Sequence, residues 1–217
     1  MKKSFVVGAG FKPARQEAVV PAASTYPRRR TVRLTAYDYA TPAAYFVTIC
    51  THQRALLFER PDHAAAVLAA WEDLPRHYAH ASLDQFVVMP NHVHGIVLLA
   101  DSDALRAGFK PTRQAESAPH HGLPEVVRAF KTFSARSVNR LRDRAGQPVW
   151  QRGYYEHVIR GERSLARIRE YIAVNPGRWD SDGEGPAGRP DASERAFWTA
   201  CASSSRPSAT RRPGGRV

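Results

Sequence analysis

This chain of 217 residues has few cysteines, few acidic residues and no long apolar run. Its two cysteines, Cys50 and Cys201, lie far apart and form no Cys-x-x-Cys element, which argues against a disulfide framework and a structural zinc site. No stretch approaches the length of a membrane span, and the apolar run after Lys3 is too short for a signal peptide. These absences predict a protein of the reducing cytoplasm with no membrane partner.

The shortage of acidic residues leaves a large positive charge. The chain has 32 Lys and Arg against 20 Asp and Glu, so its formal net charge is +12 and its pI is near 10.3. This balance favours a polyanionic partner, with nucleic acid first. A basic surface that is merely solvated would give the same composition. Apolar residues make up 43% of the chain, which is enough for a packed core.

Composition divides the chain into three parts. Residues 1–40 are rich in Pro and Arg and are expected to form a basic, mostly irregular arm. Residues 180–217 are rich in Gly, Pro, Ser and Arg and are expected to be disordered. The apolar periodicity between them predicts one folded domain over 41–179.

The pattern within this domain predicts the order β-α-β-β-α-β followed by one more helix. Strands are predicted over 44–51, 82–89, 92–99 and 154–160, and helices over 62–78, 123–144 and 162–174. Pro90 and Asn91 predict a tight turn that joins the second and third strands into a hairpin. This order is the ferredoxin-like, α+β arrangement, with a four-stranded antiparallel sheet and helices on one face.

The segment His92-Val93-His94 lies inside the third predicted strand. Side chains of a strand alternate between its faces, so both imidazoles point to one side and Val93 to the other. Histidine is the commonest metal ligand, and the pair could reach one ion. A bare His-x-His is weak evidence, however, because close histidines in strands are common.

The last predicted helix supplies two further candidates, Tyr171 and Asn175. They are four residues apart and therefore share a helix face. Tyrosine can act as a covalent nucleophile, and an Asn oxygen beside two imidazoles would suit magnesium or manganese bound together with a phosphate. Alternatively, Tyr171 is an ordinary amphipathic-helix residue and Asn175 caps the helix before Pro176.

Five ordered segments resemble the HUH single-tyrosine transposases, specifically the REP-associated tyrosine transposases. They span about residues 26–178 in the order of that family. The segments are Tyr26-Pro27-Arg28-Arg29-Arg30 through Tyr37-Asp38-Tyr39, Tyr45 to Thr51, Met89-Pro90-Asn91-His92-Val93-His94-Gly95, Val149-Trp150-Gln151-Arg152-Gly153-Tyr154-Tyr155, and Tyr171-Ile172-Ala173-Val174-Asn175-Pro176.

The resemblance implies a DNA transposase and endonuclease that acts on single-stranded DNA near REP-like hairpins, in the cytoplasm and associated with the nucleoid. Residues 41–179 would be its catalytic domain, with the last helix as the catalytic helix. His92, His94 and Asn175 would bind magnesium or manganese, although related transposases use Gln where this chain has Asn175. Tyr171 would be the nucleophile and would form a 5′-phosphotyrosine. The family also suggests a homodimer, and a monomer remains open.

Several basic residues are candidates for DNA contacts, each with a solvated surface charge as the alternative. The expected arm carries a cluster of arginines, and three further basic residues lie in the domain: Arg28, Arg29, Arg30, Arg33, Lys131, Arg152 and Arg160. Tyr154 and Tyr155 are rival nucleophiles, but sheet packing is the preferred interpretation of both.

Two other functions stay open at this point. One is a hairpin-binding protein that has lost its chemistry, and the other is an RNA-binding ferredoxin-like module, which would not explain the paired histidines. The sequence also repeats itself: Ala9–Gln16 recurs as Ala107–Gln114 with seven of eight positions identical. We interpret the two copies as either a duplicated basic loop or translated fragments of a palindromic mobile repeat.

Overall fold

The computed structural model describes residues 5–7, 42–100, 121–181, 184–185 and 196–199. The strands are β1 (Phe5–Val7), β2 (Ala43–Cys50), β3 (Ala81–Met89), β4 (His92–Leu99) and β5 (Tyr155–Ile159). The helices are α1 (Pro61–Glu72), α2 (Leu74–His77), α3 (Leu123–Leu141) and α4 (Glu162–Val174), with 3-10 segments at His52–Arg54, Leu57–Glu59 and Asn175–Ser181.

The strands form one sheet in the order β1-β3-β4-β2-β5. The pairs β3–β4, β4–β2 and β2–β5 are antiparallel, which confirms the predicted four-stranded ferredoxin-like sheet. Strand β1 adds a fifth position, parallel to β3, inside the arm that was expected to be mostly irregular. Its Phe-Val-Val sequence has high strand propensity, and the outer edge of β3 offers it free backbone hydrogen-bonding groups.

Strand β4 lies between β3 and β2, and its side chains alternate between two apolar layers. Val93 and Val97 enter the layer that contains residues of α1 and α3, whereas Ile96 packs with residues of α4. His92 and His94 have the same parity as Ile96 and therefore face α4. The helices α1 and α3 thus lie on one face of the sheet, and the last helix lies on the other.

The predicted hairpin and the last helix have the expected bounds, but two other helices end early. The helix expected over 62–78 splits into α1 and α2 at Asp73, because Pro75 cannot continue the hydrogen-bond ladder of α1. Helix α3 ends at Leu141, three residues before the expected Arg144. Asp143 adopts the left-handed conformation (φ 52°), which stops the helix there.

Some expectations lie outside the described residues. These include both copies of the repeat, Cys201 and the arginine cluster Arg28, Arg29, Arg30 and Arg33. Parts of the segment expected to be disordered are described, namely Glu184 and a helical turn over 196–199. Within the described parts of the chain, no helix is both long and apolar enough to cross a membrane.

Gly95 follows the histidine pair in β4, and a larger residue would not fit there. A Cβ atom at this position would lie 2.6 Å from the Trp71 ring and 2.9 Å from the Phe86 ring. Trp71 and Phe86 are themselves stacked, with ring centroids 4.3 Å apart, and both are buried. The indole of α1 therefore lies directly against the backbone of the strand that carries His92 and His94.

We expect Gly95→Ala to destabilise the protein by about 2 kcal/mol, because two tightly packed aromatic rings would have to move. Urea unfolding followed by circular dichroism measures this loss. The matched control is Gly177→Ala, where an added Cβ meets nothing within 4 Å. Equal stabilities of the two variants would contradict the close contact with Trp71.

Candidate active site

The two imidazoles of β4 meet edge to edge in the layer that faces α4. The Nε2 atoms of His92 and His94 are 3.0 Å apart, and both side chains are buried. Val93 lies in the opposite layer, as the strand periodicity predicted. The sequence therefore brings two nitrogen donors to one point.

Hydrogen bonds at the far ring nitrogens orient this pair. His92 Nδ1 lies 2.7 Å from Asn91 Oδ1, and His94 Nδ1 lies 2.9 Å from Thr48 Oγ1. Thr48 is the residue directly opposite His94 in the β2–β4 register, which explains how a short hydroxyl reaches the ring. Because the amide oxygen can only accept, His92 Nδ1 carries the proton and a neutral ring keeps its lone pair on Nε2.

The amide of Asn91 is fixed by the segment that follows α4. Asn91 Nδ2 donates to the Glu184 carbonyl at 2.9 Å, so Oδ1 is the atom that faces His92. The buried Glu184 carboxylate forms an ion pair with Arg54 and accepts from Cys50 Sγ at 3.5 Å. A hydrogen-bonded row thus runs from Glu184 through Asn91, His92 and His94 to Thr48.

Tyr171 of α4 packs beside the row. Its ring centroid is 5.4 Å from that of His94 and 6.0 Å from that of Phe46, both in edge-to-face geometry. On its other side the ring stacks on Phe197 at 5.0 Å and contacts Trp198 at 5.4 Å. The structure therefore brings the predicted nucleophile to the histidine pair within one chain.

Asn175 lies one helical step further along the same face. Trp179, another four residues on, stacks on His92 with ring centroids 6.0 Å apart. The face that carries Tyr171, Asn175 and Trp179 therefore follows the histidine pair. Asn175 is 3% exposed, and in the described part of the chain its Oδ1 has no hydrogen-bond partner.

An unpartnered buried amide oxygen costs about 1–3 kcal/mol, so a structural capping role alone does not account for Asn175. Among the described residues, no three His, Cys, Asp or Glu side chains group together as a metal site would require. The donors assembled here are two imidazoles and one amide.

An ion pair fixes α4 against the sheet. A bulge between Leu83 and Phe86 interrupts the β3–β4 register and carries Asp84. Arg169 grips this carboxylate with two nitrogens, with Nε–Oδ1 at 3.0 Å and Nη2–Oδ2 at 2.5 Å, and the pair raises the pKa of Arg169. Because Tyr171 follows Arg169 by two residues, this contact determines where along the sheet the tyrosine lies.

The predicted DNA-contacting residues of the domain lie apart from the histidine pair. Lys131 of α3 donates to the carbonyls of Gln151 at 2.6 Å and Gly153 at 3.0 Å, and burial lowers the pKa of its ammonium. Arg152 is exposed in the turn that Lys131 holds, and Arg160 is exposed after β5. A role in DNA binding stays a prediction for each of them.

Sequence reasoning missed the residues that orient the site, above all Thr48, Glu184 and the pair Phe197 and Trp198. The position of Thr48 was available in principle, because pairing the two strands so that their apolar faces match places it opposite His94. Glu184 gave no such signal, because its segment has the composition of a tail.

Comparison with known proteins identified relatives over most of the chain. An uncharacterised protein of Haemophilus influenzae is 35% identical over 169 residues, covering 71% of this chain and 91% of its own. A second Haemophilus influenzae protein, provisionally named a REP-associated tyrosine transposase, is 27% identical over 142 residues, covering 64% and 73%. No family model matches the chain.

Two solved structures share the fold at low sequence identity. A REP-associated tyrosine transposase bound to a REP hairpin has a TM-score of 0.43 at 18% identity and covers 71% of this chain and 74% of its own. A provisionally named transposase of Deinococcus radiodurans has a TM-score of 0.41 at 20% identity and covers 64% and 92%.

The topology and the buried row of polar residues define a ferredoxin-like α+β domain with a polar site on its central hairpin. The chain belongs to the family of the REP-associated tyrosine transposases.

We expect Arg169→Gln to weaken the docking of α4 by about 1 kcal/mol, because a bidentate charged contact is lost at a partly exposed site. Amide hydrogen exchange in α4 measures the local change, and urea unfolding measures the global one. Arg167→Gln is the matched control, since Arg167 lies exposed on the same helix. Equal exchange rates in the two variants would contradict the role of the Asp84 contact.

Proposed function

We propose that this protein is a metal-dependent transposase that cleaves and rejoins single-stranded DNA at REP-like hairpins through Tyr171. The observation that carries the proposal is the convergence of Tyr171 with His92 and His94, with centroids of Tyr171 and His94 5.4 Å apart. The name of the Haemophilus relative supports the substrate class.

A divalent ion fits the donors on the central hairpin. Both histidines direct Nε2 to one point, and Asn175 has a buried oxygen with no partner in the described part of the chain. Two nitrogens that bind an ion at right angles and about 2.1 Å lie about 3.0 Å apart, which suits octahedral magnesium or manganese better than tetrahedral zinc. The observed Nε2–Nε2 distance is 3.0 Å.

The bound magnesium or manganese would polarise the scissile phosphate and stabilise charge on the leaving oxygen. Tyr171 Oη would attack phosphorus, and the bond from phosphorus to the 3′ oxygen would break. The products are a 5′-phosphotyrosine and a free 3′-OH, with the phenolic proton passing through solvent to the 3′ oxygen. A 3′-OH can reverse this step, so joining needs no external energy source.

Packing limits where the reaction can occur. Tyr171 is held by Phe46 from the sheet and by Arg169, two residues before it, through Asp84. Thr48 and Asn91 keep the imidazoles in one orientation. Because all of these residues come from one chain, the geometry favours a tyrosine that serves the site of its own subunit.

Formation of a covalent adduct tests the proposal. A single-stranded hairpin labelled at its 3′ end should transfer its label to the protein in manganese, and the adduct should survive a denaturing gel. Tyr171→Phe should reduce the adduct by about 1,000-fold or more, because the attacking oxygen is removed. Tyr155→Phe is the matched control, since Tyr155 is also a tyrosine near Phe46 and is 39% exposed.

An adduct that persists in Tyr171→Phe and disappears in Tyr155→Phe would assign the nucleophile to the rival tyrosine. Tight hairpin binding by the wild-type protein without any adduct would instead support the alternative, a hairpin-binding protein that has lost its chemistry.

The orienting residues make a separate prediction about metal affinity. Thr48→Val should weaken manganese binding about tenfold in the absence of DNA, because the hydroxyl that positions His94 is lost. Electron paramagnetic resonance of free manganese measures the affinity. Thr132→Val, at an exposed position, is the control. Unchanged affinity in both Thr48→Val and Asn91→Ala would refute the role of the row in metal binding.

A further inference from the structure

An open groove with three arginines lies at the C-terminal end of α3, on the sheet face opposite Tyr171. Its volume is about 700 Å³, and its lining includes Arg136, Arg140, Arg144, Thr132 and Gln147. We call it the arginine groove. None of its residues belongs to the histidine site or to the set of basic residues singled out by sequence.

The arginines of this groove are not neutralised by the protein. Within the described residues, none of Arg136, Arg140 and Arg144 forms an ion pair, although Asp143 also lines the groove. By contrast, the exposed Arg60 and Arg76 pair with Asp62 and Asp73.

The wider helix is equally one-sided. The segment Leu123–Arg144 contains six basic residues but only two acidic ones. Surface helices commonly offset such charge with pairs of opposite sign four residues apart, whereas like charges at that spacing destabilise a helix by a few tenths of a kcal/mol. The fold therefore carries a small electrostatic cost along α3 that no contact within the described residues offsets.

A favourable interaction with the helix dipole explains only part of this pattern. Basic residues near a helix C-terminus are stabilising, but that effect falls off within the last turn and corresponds to about half a charge. Arg140 fits that explanation. Arg128 and Arg136 lie further back on the exposed side, so the positive stripe extends over about 18 Å of helix.

The arginine groove lies beyond the same end of the sheet as His92. Asn91 accepts from the backbone nitrogen of Thr51 at 2.8 Å, and His52 donates to Val149 at 2.8 Å. Asn139, in the groove lining, donates to Gln147 at 2.7 Å. A short path of backbone contacts thus joins the histidine hairpin to the groove, so one extended polymer could contact both.

We propose that the arginine groove binds the sugar–phosphate backbone of the DNA substrate, away from the phosphate that reacts. Guanidinium groups bind phosphate with a planar fork, and positions four residues apart place them at intervals of about 6 Å along the stripe. A groove open to solvent suits a continuous polyanion rather than a small enclosed ligand. The inference rests on the proposed function only for the identity of the probe.

The test measures binding in the Tyr171→Phe background, so that no reaction contributes. Fluorescence anisotropy with a labelled hairpin carrying single-stranded flanks gives the affinity across a salt series. Arg136→Gln/Arg140→Gln should weaken binding about tenfold and reduce the slope of log affinity against log salt by about 1.5, because two phosphate contacts are lost. The matched control is Arg60→Gln/Arg76→Gln, which removes the same charge from arginines that have partners.

Equal affinities and salt slopes for the two double variants would overturn the inference while leaving the proposed chemistry intact, since wild-type adduct formation is measured separately. Absence of hairpin binding in the Tyr171→Phe protein would overturn it as well. Polyglutamate provides the last comparison. If polyglutamate displaces DNA as well as unlabelled DNA does, and loses affinity equally in the groove variant, the groove binds acidic chains in general and the assignment to nucleic acid is wrong.

Discussion

Two buried imidazoles on the central strand impose the condition that organises this domain. A buried polar group without a hydrogen bond costs about 1–3 kcal/mol, so His92 and His94 need partners that the apolar layer cannot supply. Thr48 comes from the neighbouring strand, and Asn91 comes from the turn before β4 and is held in turn by Glu184. Helix α4 and the segment after it therefore act as parts of one polar site as well as a cover for the sheet.

Most of the fold could be predicted, because it depends on periodicity that local sequence expresses. The alternation in β4 assigned Val93 and the histidines to opposite layers, and the spacing in α4 placed Tyr171 and Asn175 on one face. Strand β1 was missed because three residues are too short for a periodic signal, and its pairing with β3 depends on an exposed edge about 80 residues away in sequence. The early end of α3 was missed because the conformation of Asp143 is not encoded by apolar spacing.

The candidate site was predictable in its donors but not in the groups that orient them. Histidine and tyrosine carry recognisable chemistry, whereas Thr48 is an ordinary strand residue until the register places it opposite His94. Glu184, Phe197 and Trp198 lie in a segment whose overall composition hides them, because two aromatic residues hardly change an average taken over a tail. Their contacts arise from tertiary packing, which no local pattern records.

The two layers of the sheet also divide the four tryptophans of the chain equally. Trp71 and Trp150 lie in the layer of α1 and α3, whereas Trp179 stacks on His92 and Trp198 contacts Tyr171. Intrinsic fluorescence therefore contains two spatially separate signals, one from the structural core and one from the histidine site. A protein with Phe at 71 and 150 would report optically on the site alone, without any attached dye.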